Sequence, residues 1–152
     1  MKIICIGRNY KLHAKELGNK VPKEPIFFLK PDSAILPKRN PFYFPNFSKD
    51  IHYEVELIIK IKKLGKSIQL EFARDYYSEV GLGIDFTARD IQEKCKKLGY
   101  PWEISKAFDQ SAVISEDFIN FKSIDDINFS LKKNGVIVQK DNSINMIFNP
   151  NQ

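Results

Sequence analysis

The order of apolar and polar residues along the chain predicts more strands than helices. Runs of β-branched and aromatic residues are typical of strands, and they lie at Lys2–Ile6, Ile26–Lys30, Ile51–Ile61 and Val80–Phe86. Two further runs, Ile127–Leu131 and Val136–Gln139, flank the dipeptide Asn134-Gly135. This dipeptide predicts a tight turn and therefore an antiparallel hairpin.

Helical spacing is confined to short segments. Residues 10–16 follow it until Gly18-Asn19, and residues 87–98 follow it until Gly99. Thr87 is expected to cap the second helix through its hydroxyl, and glycine is expected just after a helix.

The remaining segments are short or irregular. Residues 67–77 predict a short helix or loop, and residues 102–109 predict a loop that carries Lys106. Residues 20–48 contain prolines at 22, 25, 31, 37, 41 and 45. Each proline removes a backbone donor and biases its predecessor to extended geometry, so this segment predicts an irregular rim.

Composition indicates one folded domain. The 152 residues are 43% hydrophobic and 28% charged, within the range of ordinary globular domains. The apolar runs are too short for a membrane helix or a signal peptide, so we expect a cytoplasmic protein with no membrane partner. Cys5 and Cys95 lie far apart and outside any zinc spacing, which predicts free thiols. The net charge of +5 is scattered along the chain, which disfavours a nucleic-acid partner.

Three acids form a candidate metal site. Glu54 and Glu56 are two apart on a predicted strand and share a face, with a rise of about 3.3 Å per residue. Asp85 ends a second predicted strand, just after Gly81 and Gly83, which permit close backbone approach. Carboxylates without cysteine suit hard cations such as Mg²⁺. On spacing alone, however, acids that alternate with apolar residues favour a solvent-facing strand.

Two histidines add alternatives. His52 lies on the face of Glu54 and Glu56, so it could form a zinc site with a carboxylate, or it could orient one of the acids. His13 and Glu16 are three apart in a helical segment, where a carboxylate can hold an imidazole ready to accept a proton from water. Most such pairs are surface contacts with little effect on stability.

Together, these segments resemble the fumarylacetoacetate hydrolase family, and most closely its small acylpyruvase and oxaloacetate decarboxylase branch. The resemblance covers residues 3 to 148 in order. Short motifs carry it: Gly7-Arg8-Asn9-Tyr10 followed by His13 and Glu16, Phe28-Leu29-Lys30-Pro31, His52-Tyr53-Glu54-Val55-Glu56, Gly83-Ile84-Asp85-Phe86-Thr87-Ala88-Arg89-Asp90 with Gln92, and Pro101-Trp102 leading to Lys106.

The resemblance implies a role for each candidate residue. Glu54, Glu56 and Asp85 would be the ligands of Mg²⁺ or Mn²⁺. His13 and Glu16 would form a catalytic dyad on a lid segment, with Lys106 as a further catalytic group. Arg89, Gln92 and Lys106 would contact the carboxylate and keto oxygens of a small keto-acid substrate.

The resemblance also implies the fold and the reaction. The expected fold is mixed α+β and mainly β, a β-sandwich roll with short helices in one partial catalytic domain over residues 1–152, and the expected assembly is a homodimer. The expected reaction is metal-dependent hydrolysis of a C–C bond in acylpyruvates through an enolate, with decarboxylation of oxaloacetate as a second activity. Isomerisation or decarboxylation of a hydroxymuconate-type substrate remains an alternative.

The resemblance to the family ends at residues 143–148. The resemblance implies a helix, further strands and a Gly-Thr-Pro segment beyond that point, so we expect a chain without the C-terminal strands. A remnant that only binds metal or a partner is therefore a second class of hypothesis.

Overall fold

The computed structural model describes residues 2–11, 16, 18 and 20–152. Within these residues the chain is mainly β with short helices. The strands are β1 (Ile3–Gly7), β2 (Ile26–Lys30), β3 (Ile51–Ile61), β4 (Tyr77–Ala88), β5 (Ala112–Ile114), β6 (Ile119–Asn120), β7 (Asn128–Lys133) and β8 (Val136–Asn142). The α-helices are α1 (Arg89–Leu98) and α2 (Glu103–Lys106), and 3-10 turns lie at Asp32–Ala34, Leu70–Tyr76 and Ser143–Asn145.

The chain divides into two compact units, each built from three separate segments. The first unit contains Met1–Ile6, Phe27–Glu56 and Gly83–Ile114, and the second contains Gly7–Ile26, Leu57–Leu82 and Ser115–Gln152. Strands β3 and β4 contribute residues to both units. The single domain expected from the sequence stays a prediction.

The first unit contains parts of β3 and β4 and the whole of β5, which belong to the larger sheet. Its strands follow the order β3-β4-β5, and β4 pairs antiparallel with β5 so that Asp85 lies opposite Ala112. Strand β3 has the predicted bounds, because its many β-branched side chains pack well on a pleated surface. Phe28, Ala34, Ala88, Cys95 and Ala112 are buried in this unit.

Helix α1 begins two residues later than predicted. Thr87 and Ala88 remain in β4, so Ala88 occupies the N-cap position and no side-chain hydrogen bond caps the helix there. The expected Thr87 cap is therefore wrong. Instead, the Asp90 carboxylate accepts hydrogen bonds from the Ser48 hydroxyl at 2.6 Å and from the backbone N–H of Lys49 at 3.1 Å. These bonds hold the pKa of Asp90 below its usual range.

The other end of α1 confirms the prediction. Gly99 follows Leu98 with φ 68°, a left-handed conformation that ends the helix, and its N–H bonds the carbonyl of Cys95. The predicted loop at residues 102–109 is wrong in part, because Glu103–Lys106 form the single turn of α2. The ring of Trp102, just before α2, lies 6.1 Å from the ring of Phe28.

The second unit contains the predicted hairpin. Strands β7 and β8 pair antiparallel, with Asn128 opposite Asn142. Asn134 and Gly135 turn the chain with φ of 51° and 82°, which is the geometry that Asn-Gly favours in a two-residue hairpin loop.

Asn9 connects two segments of the second unit that are far apart in the sequence. Its side-chain amide donates to the carbonyl of Phe148 at 2.9 Å and accepts from the N–H of Phe148 at 2.8 Å. The backbone carbonyl of Asn9 also accepts from Ile147 at 2.8 Å. Asn9 therefore acts, through its side chain and its backbone carbonyl, like a short piece of β-ladder for residues 147–148.

None of the described helices is long and apolar enough to cross a membrane. Cys5 and Cys95 are both free, as predicted.

We expect Asn9→Ala to lower the free energy of unfolding by about 1–3 kcal/mol, because it removes both side-chain partners of the Phe148 backbone. Urea unfolding followed by circular dichroism measures this difference. Asn40→Ala is the matched control, since Asn40 is exposed in the first unit. Equal stability of Asn9→Ala and the unchanged chain would contradict the role of this amide.

Candidate metal centre

Three carboxylates meet in the first unit. Glu54 and Glu56 project from β3, and Asp85 projects from the neighbouring strand β4. One oxygen from each of the three side chains lies within 4.8 Å of the other two. The structure therefore brings together the three acids that were expected to bind metal. The alternation of acidic and apolar residues along β3 had, by itself, favoured solvent-facing glutamates. We call Glu54, Glu56 and Asp85 the carboxylate cluster.

Glu56 shows the electrostatic strain of the cluster. Desolvation, and then the nearby charges of Glu54 and Asp85, raise its pKa to about 8. Two carboxylates beside a third in a poorly hydrated site disfavour its ionisation. A positive charge placed among the three groups would relieve this repulsion.

Lys106 supplies one such charge. Its buried ammonium donates to Glu54 Oε2 at 2.7 Å, to Asp85 Oδ2 at 2.6 Å and to Thr87 Oγ1 at 2.6 Å. Burial alone would lower the pKa of Lys106, but the carboxylates of Asp85 and Glu54 outweigh burial and raise it. Lys106 is therefore protonated beside the carboxylate cluster.

Lys30 supplies a second charge on the other oxygen of Asp85. Its Nζ lies 2.9 Å from Asp85 Oδ1, and only 3% of the residue is exposed. Burial lowers the pKa of Lys30, and the charge of Asp85 opposes this effect. Asp85 Oδ1 is buried and accepts no well-oriented hydrogen bond within the described part of the chain, so its contact with Lys30 is an ion pair.

The first turn of α1 supplies a third charge. The buried Arg89 guanidinium forms an ion pair with Glu54, donates to Gln92 Oε1 and donates from Nε to His52 Nδ1 at 3.3 Å. Arg89 and Gln92 are three apart on the helix and therefore face the same way. The structure thus places Arg89 against Glu54 and Gln92 against Arg89, while the third predicted substrate-binding residue, Lys106, also contacts Glu54.

His52 does not belong to the carboxylate cluster. Its Nδ1 accepts from Arg89, and its Nε2 lies 3.1 Å from Asp50. Among the described residues, the group able to hold a metal consists of the three acids alone. The zinc alternative with His52 as a ligand gains no support, whereas His52 does contact Arg89, which pairs with Glu54.

The predicted dyad is only partly described. His13 lies outside the described residues, while Glu16 is helical and exposed in the second unit. The pairing of His13 with Glu16 stays a prediction.

Sequence reasoning missed three polar residues of the site, which are Lys30, Thr87 and Ser111. Ser111 is fully buried, and both its Oγ and its carbonyl lie 3.0 Å from Lys30 Nζ. Lys30 stands in the motif Phe28-Leu29-Lys30-Pro31, which is the signal that could have drawn attention to it. Thr87 was assigned to the start of a helix, but its hydroxyl accepts from Lys106.

The donor set fits a hard divalent cation. It consists of carboxylate oxygens alone, which suit Mg²⁺ or Mn²⁺ better than softer metals. Desolvation and the nearby charges of Glu54 and Asp85, which raise the pKa of Glu56, both disfavour the ionised cluster without a cation. A cation held by Glu54, Glu56 and Asp85 would favour the ionised form of all three.

The fold and this site define a mainly β protein with a carboxylate cluster flanked by buried cationic side chains. The sequence matches the family described as "Fumarylacetoacetate (FAA) hydrolase C-terminal" over residues 2–152. The chain belongs to this fumarylacetoacetate hydrolase family, which confirms the resemblance and the mainly β fold with short helices.

Two named relatives are enzymes of oxaloacetate. Oxaloacetate decarboxylase of Dictyostelium discoideum is 45% identical over 97% of this chain and 69% of its own length. Oxaloacetate tautomerase FAHD1 of Mus musculus is 40% identical over 96% of this chain and 67% of its own length. The chain thus spans about two thirds of the length of these relatives.

A solved structure shares the fold. Fumarylpyruvate hydrolase from Pseudomonas aeruginosa, determined in complex with Mn²⁺ and pyruvate, superposes with a TM-score of 0.87. It is 33% identical, and the match covers 99% of this chain and 68% of the hydrolase. This relative therefore holds a divalent cation together with a small keto acid.

We expect Mg²⁺ to stabilise the chain against unfolding, by about 2.7 kcal/mol at a concentration 100 times its dissociation constant. Glu56→Gln should abolish this gain. In the presence of a chelator the same variant should unfold as the unchanged chain does, because glutamine resembles the protonated acid that a pKa of about 8 favours at pH 7. Thermal unfolding with Mg²⁺ and with a chelator measures both effects.

Glu71→Gln is the matched control, since Glu71 is an exposed acid of the second unit. A full Mg²⁺ gain in Glu56→Gln would show that the cation binds elsewhere.

Proposed function

We propose that the chain acts on small 2-oxo acids with the help of Mg²⁺ or Mn²⁺, hydrolysing acylpyruvates and decarboxylating oxaloacetate. The observation that carries this proposal is the buried ammonium of Lys106, bonded to two acids of the carboxylate cluster. The names of the relatives support it, since they act on oxaloacetate or fumarylpyruvate, and one is bound to Mn²⁺ and pyruvate.

The proposed reaction needs negative charge to be stabilised on a keto oxygen. A divalent cation held by Glu54, Glu56 and Asp85 would supply a Lewis acid for that oxygen. Lys106 adds a fixed positive charge beside the same acids, which stabilises the charge that develops as the C–C bond breaks. Because an ammonium has three donors and Lys106 already bonds three oxygens, a substrate oxygen must replace one of these acceptors.

Arg89 and Gln92 orient the substrate in this proposal. A guanidinium carries five N–H donors, so the contacts of Arg89 with Glu54, Gln92 and His52 do not exhaust its capacity to bind a carboxylate. Gln92 offers an amide whose oxygen already accepts from Arg89, so its nitrogen is the group that would donate to a substrate oxygen. The pair would thus recognise the carboxylate and the neighbouring oxygen of a 2-oxo acid.

His13 and Glu16 separate the two reactions. We propose that His13, oriented by Glu16, takes a proton from the water that attacks the distal carbonyl of an acylpyruvate. Loss of carbon dioxide from oxaloacetate needs no attacking water. Hydrolysis should therefore depend on His13, while decarboxylation should depend mainly on the carboxylate cluster and Lys106.

The 40% sequence identity to the mouse oxaloacetate tautomerase favours a second candidate activity. Interconversion of the keto and enol forms of oxaloacetate moves a proton through the same enolate and breaks no C–C bond. A hydroxymuconate-type isomerase would use this enolate too.

A chain that binds the cation without turnover would instead be an interaction or metal-binding module. The expected homodimer and the cytoplasmic location stay predictions.

The test compares acetylpyruvate hydrolysis, oxaloacetate decarboxylation and oxaloacetate tautomerisation in Mg²⁺ or Mn²⁺. We expect Glu56→Gln to lower every rate more than about 100-fold, since loss of cation polarisation removes several kcal/mol of stabilisation. His13→Ala should lower hydrolysis about 100-fold or more, as expected for a lost general base, and should spare decarboxylation.

Glu71→Gln again serves as the control with one exposed acid changed. Turnover that survives in Glu56→Gln would overturn the cation-dependent mechanism. Hydrolysis that survives in His13→Ala would remove the water-activating role of that residue. Cation binding without any of the three reactions would identify the binding module instead.

A further inference from the structure

Lys30 is a buried charge for which the proposed reaction has no use. It ends β2, and its residue is only 3% exposed. Its ammonium approaches Asp85 Oδ1 at 2.9 Å, on the opposite oxygen from the one that Lys106 binds. The Asp85 carboxylate is therefore held at both oxygens by two different lysines.

The same ammonium also binds the turn that follows α2. Lys30 Nζ donates to the backbone carbonyl of Lys106, and its distances to the carbonyl and the hydroxyl of Ser111 are both 3.0 Å. The Ser111 hydroxyl in turn donates to the carbonyl of Lys106 at 2.8 Å. Lys30 thus connects the backbone of Lys106 to the side chain of Asp85.

These contacts form a closed ring of interactions. Asp85 contacts Lys30 through Oδ1 and the Lys106 ammonium through Oδ2, while Lys30 holds the Lys106 carbonyl. Rotation of the Asp85 carboxylate would break both ends of the ring. A shift of the turn at residues 106–111 would change the position of the Lys106 ammonium at the same time.

We propose that Lys30 is a positioning residue of the cation site, which sets the orientation of the Asp85 carboxylate and the place of Lys106 relative to it. This inference rests on the proposed function, because it assumes that Asp85 binds a cation. Lys30 itself touches no reacting atom in this scheme and acts through Asp85 and Lys106.

The sign of one measurement separates positioning from charge balance. If Lys30 only offset the negative charge of the cluster, its removal would make the site more negative and would strengthen cation binding by Coulomb attraction. If Lys30 positions Asp85, its removal frees a ligand and weakens binding. Loss of a residue that orients a metal ligand typically weakens metal affinity about 10- to 100-fold.

The experiment measures Mn²⁺ binding by isothermal titration calorimetry and by the loss of the free Mn²⁺ signal in electron paramagnetic resonance. We expect Lys30→Met to bind Mn²⁺ at least about 10-fold more weakly than the unchanged chain. Lys96→Met is the matched control, because it removes the same charge from a lysine that pairs with Glu93 on α1. The control should bind Mn²⁺ as the unchanged chain does.

The outcomes are distinguishable. Equal or tighter Mn²⁺ binding by a folded Lys30→Met overturns the positioning role and leaves the proposed function intact. An unchanged chain that binds no Mn²⁺ overturns the proposed function, and this inference falls with it.

A second variant tests the same idea without a charge change, in case Lys30→Met fails to fold. Ser111→Ala removes the hydroxyl that contacts both Lys30 and the Lys106 carbonyl, and it leaves every charge in place. Several-fold weaker Mn²⁺ binding supports the positioning role. Unchanged binding by the folded Ser111→Ala overturns it.

Discussion

The repulsion among three carboxylates is the constraint on which the first unit depends. Glu54, Glu56 and Asp85 are fixed close together by two neighbouring strands, and their partial or full burial limits screening by water. An equal number of cationic side chains offsets the negative charge of the cluster, namely Lys30, Lys106 and Arg89, each from a different element. Glu56 lacks a comparable ion pair among the described contacts, and desolvation together with the charges of Glu54 and Asp85 raises its pKa.

This arrangement determines where flexibility would be harmful. A buried ion pair contributes little net stability, but the loss of one partner leaves an uncompensated charge. The single turn of α2, which ends at Lys106, and the first turn of α1, which begins at Arg89, must therefore be held accurately in place. The hydrogen bonds of Ser111 and Asp90 fix these two turns, and neither residue belongs to the carboxylate cluster itself.

The sequence predicted those features that depend on neighbouring residues. Strand β3 follows from its β-branched run, and Gly99 ends α1 because glycine readily adopts the left-handed conformation. Thr87 was misplaced because its hydroxyl serves Lys106, a partner 19 residues away that local preference cannot reveal. The role of Lys30 was invisible for the same reason, since its partners lie 76 and 81 residues further on. The carboxylate cluster came from the ordered motifs, whereas spacing alone favoured exposed acids.

The pairing of Asn9 with Phe148 has a consequence for biosynthesis. These residues are 139 positions apart, so their bonds form only after Phe148 has left the ribosome. Each compact unit is likewise assembled from three separated stretches: the first is complete once Ile114 has emerged, whereas the second needs residues as far as Gln152. Contacts of such long sequence separation slow folding, because a large loop must close before any stabilising interaction forms. During synthesis the apolar surfaces of the second unit stay open until its third segment has emerged, a period in which such surfaces are prone to aggregation.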